Sequence, residues 1–203
     1  MFAACVAGTL TIPFGASLNT IKTIRDHEAA HVNFLKTAIT SLGGTPVVFT
    51  AASFDFTAKG NFSDVFKDYG LFLAVAQTFE DTGVRAYKGQ AGNLISNNDV
   101  LTAALNIHSV EARHASHIRQ MRKANGALVP DGVNVKPWIT LNQSGIGSTK
   151  VQASYNGEEI TTQAGVNIIN IGGFTISASA ASEAFDEALT KEQVLAIVTP
   201  FFA

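Results

Sequence analysis

Two tetrapeptides hold most of the reactive chemistry in this sequence: EAAH at residues 28–31 and EARH at residues 111–114. The chain has five histidines, and two of them, His31 and His114, follow a glutamate by three positions. In a helix that spacing puts carboxylate and imidazole on one face. Carboxylate oxygen and imidazole nitrogen together suit Fe, Mn or Zn. A single Glu-x-x-His is also common on solvated faces, where it binds nothing, so the helices that position the pairs decide the matter.

Three long helices read from the pattern of caps, stops and apolar spacing. The first runs from Ser17, a candidate N-cap, to Leu42, where Gly43-Gly44 stops it. The second starts after Ser63-Asp64 and continues to about Lys88. The third follows Asn97-Asn98-Asp99 and ends at Gly126, with Arg119, Arg122 and Lys123 complementing the negative end of its dipole. Their inward seams are Ile21, Ile24, Glu28, His31, Leu35, Ala38, Leu42; then Phe66, Tyr69, Leu73, Ala76, Glu80, Gly83, Tyr87; then Val100, Ala104, Ile107, Glu111, His114, Ile118, Met121.

Each seam is apolar at its ends and interrupted in the middle by glutamate, twice with histidine following. An unpartnered buried carboxylate costs several kcal/mol, so matched interruptions call for positive charge between them. A pair of divalent cations meets that need, as in bundles where two helices give Glu-x-x-His and two give a lone Glu. The rival arrangement pairs the buried Glu and His with each other, or with Arg85 and Arg113.

The sequence divides into an incomplete helical bundle at 1–126, an extended segment at 127–182 packed on it, and a C-terminal helix at 183–203. Residues 127–182 are rich in Gly, Ser, Thr, Asn and Val and hold five charged residues: Asp131, Lys136, Lys150, Glu158 and Glu159. Asn156-Gly157, between KVQASY and EEITTQ, is a two-residue hairpin signal. Trp138, after Pro137, is expected to pin the segment to the bundle. The closing helix is expected to start at Thr190, with Glu192 and Gln193 in its first turn, and to end at Pro200.

A net charge of −2 with no Lys/Arg block argues against nucleic acid or an anionic membrane as partner. No apolar run reaches eighteen residues, so no transmembrane helix is expected. Cys5 is the only cysteine, which excludes an internal disulfide. MFAACVAGTLTIPFGAS lacks a basic n-region and breaks at Pro13 and Gly15, unlike a signal peptide, and localisation stays open.

At these residues the chain resembles the ferritin-like superfamily, and within it the ferritin-like domain group that includes proteins described as desiccation-related. IRDHEAAHVNFLKTAI, TFEDTGVRAYKGQA, LTAALNIHSVEARHASHIRQMR and EAFDEALTKEQVLAIVTPFF carry the resemblance. It covers about residues 15–126 and, less closely, the last twenty. It implies a mainly α fold, an antiparallel helical bundle with an extended, hairpin-bearing segment and a short C-terminal helix. It also implies metal ligands at Glu28, His31, Glu80, Glu111 and His114, with iron or manganese as the cofactor, one ion or two.

The resemblance implies a carboxylate-bridged di-metal protein, an oxidoreductase acting on Fe(II) and O₂ or on peroxide in stress protection. The alternative is a non-catalytic stress or structural protein with a degenerate or single-metal site. The family has a further helix, with its own ligand glutamate, before the EAAH helix. Here only residues 1–10 correspond to it, and no acidic residue precedes Asp26. Either the frame opens at an internal Met or this version lacks that helix; the first is the expectation, and it lowers the expected metal occupancy. A bundle open on that side would offer an apolar groove to a second copy of the chain.

Smaller roles follow from position. Asp26 and Asp81 adjoin ligands and are either supports for imidazole N–H groups or solvated carboxylates. His108 is expected to be a satisfied boundary histidine, His27 and His117 surface groups, and Tyr87 core packing.

Overall fold

The glycines read as helix stops do stop helices, and by one mechanism. In the computed structural model, α1 (Ala16–Ser41) ends where Gly44 N–H donates to Ile39 O at 2.8 Å and Gly43 N–H donates to Thr40 O at 3.0 Å. Gly43 sits at φ 80°, the left-handed residue that this paired closure requires. α2 spans Tyr69–Ala91 and α3 spans Asn98–Ala124, and α3 closes in the same way at Gly126. The Asn97 side chain caps α3 by accepting from Val100 N–H at 3.1 Å.

The structure describes residues 1–3, 10–12, 16–127 and 134–203; Cys5, Pro13, Gly15 and Asp131 lie outside the described residues. Among these, no helix is long and apolar enough to cross a membrane. The fold is mainly α. α2 starts later than the sequence reading placed it. Asp68 is the operative cap, accepting from Leu71 N–H at 2.7 Å, while Asp64 lies within a series of turns over residues 56–67 in which Ala58, Lys59 and Gly60 take positive φ.

The chain forms two compact units, residues 1–75 with 198–203, and residues 76–197. In the first, Ile21 and Ile24 of α1 are buried, and Phe2 meets Phe72 edge-on at 6.0 Å. Its second feature is a phenylalanine ladder. Phe202 stacks on Phe49 at 5.5 Å and on Phe54 at 5.7 Å, and Phe201 stacks on Phe62 at 6.1 Å. Backbone bonds fix the register: Asp55 N–H to Phe201 O at 2.8 Å and Ala203 N–H to Ser53 O at 3.1 Å.

The second unit holds residues 76–91 of α2, all of α3, and the irregular segment. Its two-residue hairpin loop is Ala164-Gly165, both at positive φ, joining β1 (Thr162–Gln163) to β2 (Val166–Asn167), with Gln163 opposite Val166. Asn156-Gly157 also turns, but KVQASY before it forms a 3₁₀ helix over Thr149–Ser154, so no hairpin forms there. Short α4 (Ala178–Ser182) follows, and α5 (Lys191–Val198) opens on a capping box. Thr190 Oγ1 accepts from Gln193 N–H at 3.2 Å, while Gln193 Oε1 accepts from Thr190 N–H at 2.8 Å.

Trp138 is 51% exposed. A buried polar stripe on α2 ties the irregular segment down. Gln77, Asp81 and Arg85 recur every four residues, so they share one face. Gln77 Nε2 donates to Ser144 O and Tyr155 Oη, both at 3.0 Å. Tyr155, fully buried, donates its phenol to Asp81 at 2.7 Å. Arg85 reaches Ser154 O at 2.6 Å, Asn156 O at 2.8 Å and the Glu158 carboxylate at 2.6 Å. Backbone carbonyls of an irregular segment need donors when buried, and these side chains supply them.

Candidate metal centre

Glu80 lies at the middle of α2, and Glu111 and His114 lie one turn apart at the middle of α3. Residues 72–78 of α2 are buried on all sides, and Glu80 is buried one turn further on. Its residue is 4% exposed, Glu111 4% and His114 5%. His114 Nδ1 lies 3.2 Å from Glu80 Oε2 and 3.6 Å from Glu111 Oε2. The three side chains offer ligand atoms that all lie within 4.8 Å of one another. Gly83 of α2 faces Glu111, whose Cγ and Cδ lie 3.7 Å from the place a Cβ would occupy, ordinary van der Waals contact.

In the first unit, Glu28 and His31 of α1 face each other one turn apart, with His31 Nδ1 3.4 Å from Glu28 Oε1. Both are half-buried. Each Glu-x-x-His thus turns its carboxylate and imidazole to one another, as the i,i+3 spacing requires.

Arg85 and Arg113, the rival partners, have other contacts. Arg85 is committed to Glu158 and to carbonyls of the irregular segment, and exposed Arg113 reaches only Ser109 Oγ at 3.5 Å. Two buried glutamates thus flank one imidazole. A divalent cation fits this donor set, since imidazole and carboxylate suit iron and manganese and the ligand atoms already converge.

Asp81 is the neighbour of Glu80 yet serves a different network. It is not a support for an imidazole: both of its oxygens take Arg119, at 2.6 and 2.5 Å. Arg119 is itself buried, at 3% exposed. Burial by itself would lower its guanidinium pKa, but Asp81 holds it above the ordinary value. Arg122, also buried, is lowered, first by burial and then by the nearby Arg119 charge. It donates to Gln77 Oε1 at 2.5 Å and Gly145 O at 2.7 Å. Burial pushes the Tyr155 phenol up, and pushes the Glu158 carboxyl up to about 7 despite Arg85 beside it.

Of the remaining residues, His108, His27 and His117 fall where their positions suggested. His108 Nδ1 is satisfied by Val84 O at 2.9 Å, Asp26 is exposed beside Arg25 at 2.7 Å, and His27 and His117 are exposed. Tyr87 is half-buried. The sequence reading missed the Gln77–Asp81–Arg85 stripe, though three strongly polar residues at four-residue spacing in so apolar a helix were a usable signal.

Comparison with known proteins agrees with this geometry. The ferritin-like domain family matches the chain over residues 12–124. No curated protein and no solved structure matches the chain. The match takes in α1, α2 and α3 with the buried Glu80, Glu111 and His114, and the chain belongs to the ferritin-like domain family.

Proposed function

We propose that this protein is a ferritin-like oxidoreductase whose carboxylate-bridged centre binds two iron or manganese ions and acts on Fe(II) with O₂, or on peroxide, in stress protection. The observation that carries the reading is the buried convergence of Glu80, Glu111 and His114. Glu28 and His31 complete the ligand set; their mutual geometry on α1 supports this, since it repeats that of Glu111 and His114. A bound redox-active ion supplies electron transfer at an open coordination position. The protein's own contribution is to hold the carboxylates and imidazoles at fixed distance, keep water from the buried side, and balance charge. The resemblance to the group that includes desiccation-related proteins supports the protective role. The chain also works as a homo-oligomer.

A second reading has its own support. Glu80 and Glu111 carry two negative charges, which match one divalent ion, and this favours a non-catalytic protein with a single structural metal.

Both readings are tested by loading the purified protein anaerobically with Fe(II) or Mn(II), counting ions per chain, and then following O₂ and peroxide consumption. Two ions with turnover, both diminished in Glu111→Gln, support the oxidoreductase. One ion without turnover supports the second reading. A folded protein that takes up neither metal sinks both.

A further inference from the structure

The apolar seam of α1 changes character halfway along the helix. Ile21 and Ile24 are 1% and 3% exposed, whereas Val32, Leu35, Ile39 and Leu42 are 47%, 36%, 40% and 61% exposed. Their spacing of three, four and three residues puts these four on one stripe. Phe34 flanks it, and Val47, Val48 and Phe49 follow the Gly43-Gly44 stop at 66%, 78% and 49% exposure. Single exposed apolar residues need no explanation, but eight of them within eighteen positions do.

Two further features prepare this surface for burial. Lys36 is the only Asp, Glu, Lys or Arg from residue 29 to residue 49, and depletion of charge marks the core of protein interfaces. The polar side chains of the same turns are satisfied by the helix itself. Thr37 Oγ1 donates to Asn33 O at 2.9 Å, Thr40 Oγ1 to Lys36 O at 2.9 Å, and Ser41 Oγ to Ala38 O at 2.8 Å. Removing water from these groups forfeits little, because their donors already have partners.

We infer that this half of α1, with residues 47–49, is the contact between two copies of the chain; the inference rests on the homo-oligomer reading and assigns its surface. Eight side chains about half exposed present roughly 700 Å², against about 800 Å² per partner in a stable interface of standard size. A stripe at 3-4-3 spacing packs into a copy of itself, knobs into holes, and a two-fold pair uses one patch twice. A helix lying on a membrane would carry Lys and Arg on its polar face, and this one carries Asn33, Thr37, Thr40 and Ser41 with Lys36 alone.

Sedimentation velocity on the full chain at micromolar concentration tests the assignment, with Leu35→Glu/Ile39→Glu as the main variant. A dimeric parent is expected, and a variant whose dimer is weakened at least about tenfold, since each glutamate would be desolvated in the contact. Circular dichroism checks the fold. Should the double variant not fold, Val48→Glu decides, because it lies outside the helix and the parent residue is 78% exposed. A dimer that survives both variants overturns the surface while leaving the oligomer reading intact. A monomeric parent overturns both, and one that co-sediments with neutral phosphatidylcholine vesicles assigns the face to lipid instead.

Discussion

Asp81 grips Arg119 through both carboxylate oxygens, at 2.6 and 2.5 Å, one residue along α2 from Glu80 of the candidate centre. A single turn of helix thus feeds two networks, one that meets His114 and one that anchors the irregular segment through Tyr155. Asp81→Asn leaves the Arg119 charge buried without its counter-ion, and about 3–5 kcal/mol of stability should be lost. Denaturant unfolding measures this, and metal affinity measured alongside should hardly move. Loss of metal with stability preserved would return Asp81 to the centre.

Metal should stabilise the fold from within. At free Fe(II) or Mn(II) of about a hundred times Kd, the gain is about 2.7 kcal/mol. For a chain of this size that raises Tm by roughly 5–10 °C. His114→Ala should abolish most of the shift in a thermal melt. A variant that keeps the whole shift would place the metal elsewhere.

Glu158 should make stability depend on pH near neutrality. Burial holds its carboxyl at about 7, above the ordinary 4.5, so the folded chain keeps a proton that the unfolded chain releases. The contribution is complete below about 4.5 and is lost as pH rises through about 7. Urea midpoints across this window should fall with rising pH for the parent and fall less for Glu158→Gln. Equal slopes in the two proteins would assign the dependence to another group.

Gly89→Ala should reverse the usual sign of a helix substitution. Alanine in place of glycine normally gains about 1 kcal/mol in a helix. Here the new Cβ would stand 1.9 Å from Leu189 O, a backbone atom that cannot swing aside. Leu189 N–H donates to Arg85 O at 3.1 Å, so any shift also breaks the tie between α2 and the chain leading into α5. The expected loss is about 1–3 kcal/mol or more, read from the unfolding midpoint. A stabilised variant would show that Leu189 is not held there.

How much of this was legible from residues alone follows the range of each interaction. Gly43, Gly126, Asn97 and Thr190 act within five residues of themselves, and each does what its type and position suggested. Glu80, Glu111 and His114 were legible because helical spacing carries a mid-seam position across whole turns. The Asp81–Tyr155 bond spans 74 residues and leaves no local trace, so Asp81 could not be separated from a support of the metal centre. The hairpin was misplaced because Ala164 takes the left-handed conformation at φ 49°, where Asn is the commoner choice.

The phenylalanine ladder also fixes an order of events during synthesis. Lys59 Nζ donates to Phe202 O across 143 residues, and Asp55 and Ser53 bond to the same last stretch of chain. The earlier members of this ladder leave the ribosome long before their partners are made. Until then Phe49, Phe54 and Phe62 have no Phe201 or Phe202 to stack on. Closing so long a loop is slow compared with forming a helix, so the ladder is expected to set late, after α1, α2 and α3 have formed. Phe201 and Phe202 act as the latch of a unit whose other residues are made far earlier.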